Sequence, residues 1–147
     1  MKTKFKMQIS KNFSLEELTH TDHREFDNTP TDKELANLVR LAGFLEVIKA
    51  ILGGKPIMIN SAFRSKAVND AVGSKDSSQH RTGCAADIRV PGMTPDEVVK
   101  FIRSADIEFD QVIREFDRWT HVSIPLEGAK PRKTALIIDK TGTRAYV

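Results

Sequence analysis

His80 and Asp87 lie close together in a small, polar, glycine-containing stretch, Ser78-Gln79-His80-Arg81-Thr82-Gly83-Cys84-Ala85-Ala86-Asp87. His121 follows Trp119-Thr120 further along the chain. Imidazole nitrogens and a carboxylate oxygen are good zinc donors, and three protein ligands with water in the fourth place make a catalytic zinc site. The chain has 4 histidines, however, and such a number is ordinary for its length. On residue type and spacing alone, a metal site and structural histidines stand level. His20 and His23 illustrate the second case. They sit among Asp22 and Glu25 with no strand or helix frame to aim them, and they read as solvated.

The elements that would position these residues follow from periodicity and end signals. Ser14-Leu15-Glu16-Glu17 and Thr31-Asp32-Lys33-Glu34 are capping-box patterns that open helices. The second helix carries Leu35, Leu38, Leu41, Ala42, Leu45, Ile48 and Leu52 at three- and four-residue spacing, and Gly53-Gly54 stops it. Residues 56–60 read as a short buried strand and 66–72 as a brief helix. Residues 84–90 alternate cleanly: Cys84, Ala86, Ile88 and Val90 share one face, Ala85, Asp87 and Arg89 the other. Cys84 is thereby a small core residue on the wrong face to join Asp87. Thr94-Pro95-Asp96-Glu97 opens a helix to residue 104. Residues 109–116 and 119–124 read as one hairpin, and 135–139 with 144–147 as a terminal one. On the 119–124 strand Val122 and Ile124 face inward while His121 and Ser123 face the other way, so both strand-borne candidates leave the sheet on its polar side. The mixture predicts an α+β fold: a mainly antiparallel sheet with helices on one face and the candidate zinc site on the other.

The totals limit the function classes. The chain has 147 residues, 39% hydrophobic and 29% charged, which predicts a single domain over 1–147. Lys and Arg number 23 against 20 Asp and Glu, a net +3 that is too small to argue for nucleic acid. One cysteine excludes an internal disulfide. The charged start, Met-Lys-Thr-Lys-Phe-Lys-Met-Gln, is followed by no apolar core of a secretory signal, and no transmembrane span is expected.

Residues 78–87 fit the Ser-x-His-x-x-Gly-x-Ala-x-Asp signature, Ser61-Ala62-Phe63-Arg64-Ser65 resembles a Ser-x-x-Arg-Ser segment, and Trp119-Thr120-His121 resembles a Trp-x-His ending. Together, in the chain order 61–65, 78–87 and 119–121, they resemble the zinc D-alanyl-D-alanine carboxypeptidases and L-alanyl-D-glutamate endopeptidases, whose fold is shared with the hedgehog signalling domain. The likeness covers about 13–124 and is greatest to the short branch found in phage and prophage lysis proteins. It implies His80, Asp87 and His121 as zinc ligands, Arg64 as a substrate-binding residue, and a peptidoglycan stem peptide as substrate. By residue type alone Arg64 reads as a surface arginine.

Hydrolysis also needs a general base beside the metal-bound water. Some members of the resembled family carry that acid three residues before the last histidine. Here that position is Arg118, which has no acceptor. Glu115 and Asp117 remain. Asp117 also reads as a turn residue, and Glu115 as a partner of Arg114 or Arg118. Asp117-Arg118 makes a poor two-residue turn, so an odd-length connection is expected, with Glu115 opposite His121 and on its face. Hedgehog-like members carry their acid six residues before the last histidine, the Glu115 position. Trp119 either packs over the ligand or lines the substrate cleft. Packing is the favoured reading, and Trp119 is kept as a substrate-binding candidate.

The expected function is zinc-dependent cleavage of peptidoglycan peptides, as an endopeptidase or a carboxypeptidase. The rival is a non-catalytic, hedgehog-like zinc module that only binds. The expected protein is a monomer that partners a peptidoglycan peptide, with no nucleic acid and no membrane insertion. It is expected to stay cytoplasmic until released to the cell wall, as a phage-type lysin would.

Overall fold

The computed structural model describes residues 7–147; residues 1–6, the start of the charged N-terminal stretch, lie outside them. The helices are α1 Leu15–Leu18, α2 Asp32–Ile51, α3 Lys66–Ala71 and α4 Pro95–Ser104. The strands are β1 Met58–Ser61, β2 Ala85–Arg89, β3 Gln111–Glu115, β4 Trp119–Ser123, β5 Thr134–Asp139 and β6 Gly142–Ala145. The expected capping boxes all form: Ser14 with Glu17, Thr31 with Glu34, and Thr94 with Glu97. Each satisfies two backbone donors that a helix start leaves free.

One six-stranded sheet runs in the order β1-β2-β4-β3-β5-β6. Every pairing is antiparallel except β3 with β5, which is parallel. The α+β architecture is therefore as the alternation and capping patterns imply. Leu38, Leu41, Leu45 and Ile48 of α2 and Val98, Val99 and Ile102 of α4 share one buried core with Ala86, Ile88, Val112 and Val122 of the sheet. Cys84 belongs to this core as well. Asp87 and His121 alternate out of it, onto the opposite face.

Three details differ from the sequence reading. The first strand is not a buried one. β1 forms a sheet edge, with Met58 49% exposed, because only β2 flanks it. The turn between β5 and β6 is shorter than expected, with β6 beginning at Gly142, and β5 runs parallel to β3 rather than standing apart. A parallel partner cannot be reached by a tight turn, so residues 124–133 cross from β4 to the far side of β3. His80, finally, sits in a 3₁₀ turn, Gln79–Thr82, and not in an open loop. Among the described residues no helix is long and apolar enough to cross a membrane.

Candidate metal centre

Register brings the site together. Asp87 on β2 is the direct partner of His121 on β4. On the other side of β4, Ile113 is opposite His121 and Glu115 is opposite Trp119. Glu115 is thus one step diagonal to His121, not opposite it as the loop-length argument expects. Both residues still share a face, because partners two apart along a strand point the same way. The connection is the three-residue turn Phe116-Asp117-Arg118, in which the Glu115 carbonyl accepts from the Arg118 amide. Phe116 and Asp117 both take positive φ, at 53° and 52°.

His80 arrives from outside the sheet. Ser78 caps its turn by accepting from the His80 amide, and Gly83 ends the turn at φ 81°. A Cβ at Gly83 would stand 2.9 Å from the Glu34 carbonyl oxygen of α2, so both the backbone angle and the close approach require glycine. His80 Nδ1 lies 2.6 Å from the Ala62 carbonyl oxygen. A carbonyl only accepts, so Nδ1 carries the proton and Nε2 keeps its lone pair in the neutral ring. That Nε2 points at Asp87 Oδ2, 3.3 Å away.

His121 presents Nδ1 to Asp87 Oδ1 at 3.0 Å, and the two imidazole rings meet edge to face with centroids 5.1 Å apart. One ligand atom from each of His80, Asp87 and His121 falls within a 4.8 Å set, and all three residues are buried. Burial would push the Asp87 carboxyl up, but His80 and His121 outweigh it and hold Asp87 well below the usual carboxylate range. A deprotonated carboxylate between two inward-facing imidazole nitrogens is the donor set that a zinc ion takes. The Nδ1 proton of His80 on the Ala62 carbonyl is the kind of outer contact that orients a metal-bound imidazole. The residues present therefore fit a zinc ion.

Two further groups flank the cluster. Glu115 Oε1 is 3.8 Å from His121 Nδ1, while its Oε2 accepts from Trp119 Nε1 at 3.0 Å. Burial and the neighbouring Asp87 charge raise the Glu115 carboxyl above its ordinary value. Arg64 places Nη2 3.6 Å from Asp87 Oδ2. Its Nε donates to Ser61 Oγ and its Nη1 to Asn69 Oδ1. Burial draws its guanidinium down from its usual range, against the opposing pull of Asp87 and Glu115. Arg64 is thus not a surface arginine but a fixed cation in the wall of the site. A β-bulge places Ser61 for this contact: the register shifts between Ile59 and Ser61, so Ser61 and not Asn60 faces Asp87.

Other candidates stand apart. Asp117 pairs with Arg114, which also reaches Asp96, and does not join the cluster. His20 and His23 are solvated, each near a single carboxylate, Asp22 and Glu25. A cavity of about 490 Å³ lined by Met58, Arg89, Met93 and Arg118 contains none of the site residues.

Several supporting residues stand outside the sequence motifs. Asn69 is fully buried and fixes Arg64 while its amide holds the Ser74 and Lys75 carbonyls. Asn28 donates to the Thr19 and Phe63 carbonyls and accepts from the Ser65 amide, which pins the Arg64 segment. Buried Asp110 accepts from Arg132 and from Gln79, the residue before His80. Asparagines and a lone aspartate carry no spacing signal of their own. Asn28 and Asp110 act through contacts made across the fold, and Asn69 through neighbours within six residues.

A family model described as peptidase M15 matches residues 11–123. The chain belongs to this peptidase family. The match spans the zinc-type cluster, Arg64, Glu115 and Trp119, and it ends before β5 and β6. No curated protein matches the chain.

Proposed function

We propose that this M15 peptidase is a zinc enzyme that hydrolyses peptide bonds in peptidoglycan stem peptides. The observation that carries the reading is the placement of Glu115 beside the His80–Asp87–His121 cluster. A module that only binds through its metal has no use for a partly desolvated carboxylate there.

A zinc ion, when bound, supplies Lewis acidity and lowers the pKa of its water. The protein supplies the rest. Trp119 holds one oxygen of Glu115, so the other is free to take a proton as water attacks the peptide carbonyl. The raised pKa of Glu115 suits it to return that proton to the departing amine. Arg64, braced by Ser61 and Asn69, offers a rigid fork to a substrate carboxylate or to the attacked carbonyl. Its permanent charge and planar donors suit an anionic peptide, and stem peptides carry free carboxylates.

Mass spectrometry of purified muropeptides after incubation with the zinc-loaded protein tests the reading. New peptide fragments that vanish with a chelator support it. Intact muropeptides under conditions where zinc is bound would overturn it.

A further inference from the structure

Phe116 is held where a large residue is least comfortable. Its φ is 53°, a region that bulky side chains rarely adopt and that carries a conformational cost. Burial does not offset that cost, because Phe116 remains 46% exposed. Its ring instead leans on Trp119, centroids 6.0 Å apart and planes tilted by 46°. Together they form one wall of a cavity of about 610 Å³ between the β3–β4 turn and the β5–β6 turn, also lined by Arg118, Asp139 and Lys140. That size suits a small ligand.

The charges in this cavity are unevenly spent. Asp117 is taken by Arg114, and Asp139 by Thr141 and Arg144. No described residue offers Arg118 or Lys140 an acidic partner. An aromatic wall beside two uncompensated cations calls for a ligand with an aliphatic surface and a negative charge. Trp119 links the cavity to the proposed catalytic group, since it lines the one and hydrogen-bonds Glu115.

We propose that this cavity is a substrate subsite for a carboxylate-bearing residue of the peptide next to the cleaved bond, with its aliphatic chain on Phe116 and Trp119 and its carboxylate toward Arg118 and Lys140. The substrate class rests on the peptidase reading above; the anionic, aliphatic preference rests on the cavity itself.

Trp119 is the single tryptophan of the chain, so its fluorescence reports on this cavity directly. The probes are one purified muropeptide with free carboxylates and the same muropeptide with those carboxylates amidated, titrated at fixed ionic strength. The wild type should bind the free acid about fivefold more tightly, the scale of two solvent-accessible ion pairs. The double variant Arg118→Gln, Lys140→Gln should narrow that preference to what Arg64 alone supplies. Phe116→Gly should raise the thermal midpoint by roughly 3 °C as the strain is relieved. The same variant should weaken binding of both forms. Equal binding of the two forms by the wild type, a preference undiminished in the double variant, or unchanged binding in Phe116→Gly would each overturn the proposal. If the free acid binds as expected but is not cleaved, the subsite stands and the hydrolytic reading falls. If cleavage proceeds with no response from Trp119, the subsite falls and the hydrolytic reading stands.

Discussion

The indole N–H of Trp119 donates to Glu115 Oε2 at 3.0 Å across the last directly opposed pair of the β3–β4 hairpin. The bond fixes one carboxylate oxygen and lowers a pKa that burial and Asp87 have raised. Trp119→Phe keeps an aromatic ring and removes the donor. Glu115 should then titrate higher. A base must be deprotonated to act, so the acid limb of kcat should move to higher pH, with kcat down about tenfold at its optimum. A pH–rate profile with an unmoved acid limb would show that the bond does not tune Glu115.

Glu115 and Asp117 can be separated directly. Glu115→Gln should keep zinc and fold while losing about 10²–10⁴-fold in kcat. Asp117→Asn breaks only the pairing with Arg114 and should stay near wild-type turnover. Rates of both variants on one muropeptide check the assignment, and the reverse ranking would move the base to Asp117.

Metal content gives a test independent of turnover. Elemental analysis should find about one zinc per chain, and a His80→Ala, His121→Ala double variant should lose it. Zinc binds the folded state, so a chelator should lower the thermal midpoint of the wild type and leave the double variant unchanged. Full zinc retention by the double variant would refute the ligand set.

Asp110 links stability to pH. Burial alone would push its carboxyl up, yet hydrogen bonds from the Arg132 side chain and amide and from Gln79 hold it below its ordinary value. Its contribution to stability is therefore complete above the unfolded carboxylate pKa of about 3.9 and is lost as the pH falls below that. Urea unfolding of Asp110→Asn should show a loss of about 1.5–3 kcal/mol at pH 7. The gap from wild type should narrow toward pH 3. A constant gap across that range would mean the charge of Asp110 contributes nothing.

The elements that hold the cluster are legible in the chain because each rests on a local signal. Thr31, Thr94 and Ser14 announce helix starts, and the alternation from Cys84 to Val90 sets the face of Asp87. The side of Glu115 is also legible, from the poor fit of Asp-Arg to a two-residue turn. Its partner is not, because a turn with Phe116 at positive φ has no signature in a residue that avoids that conformation. The parallel pairing of β5 with β3 is equally silent. It depends on the crossing segment 124–133, which Asp110 and Arg132 tie down over a long sequence separation. The same is true of Asn28, which reaches Phe63 and Ser65, whereas Asn69 finds Arg64, Ser74 and Lys75 within six residues but in a pattern that no local motif announces.

The hairpin that carries His121 and Glu115 gives the site a parity. Side chains on a strand repeat every two residues, so a register slip of one would turn Glu115 toward the helices while a slip of two would return it to its own face. Natural or engineered length changes in the Phe116–Arg118 turn that reach the ladder are thus filtered as odd or even. Divergence at this turn is constrained by parity, and a library of turn lengths should recover function only in alternate members.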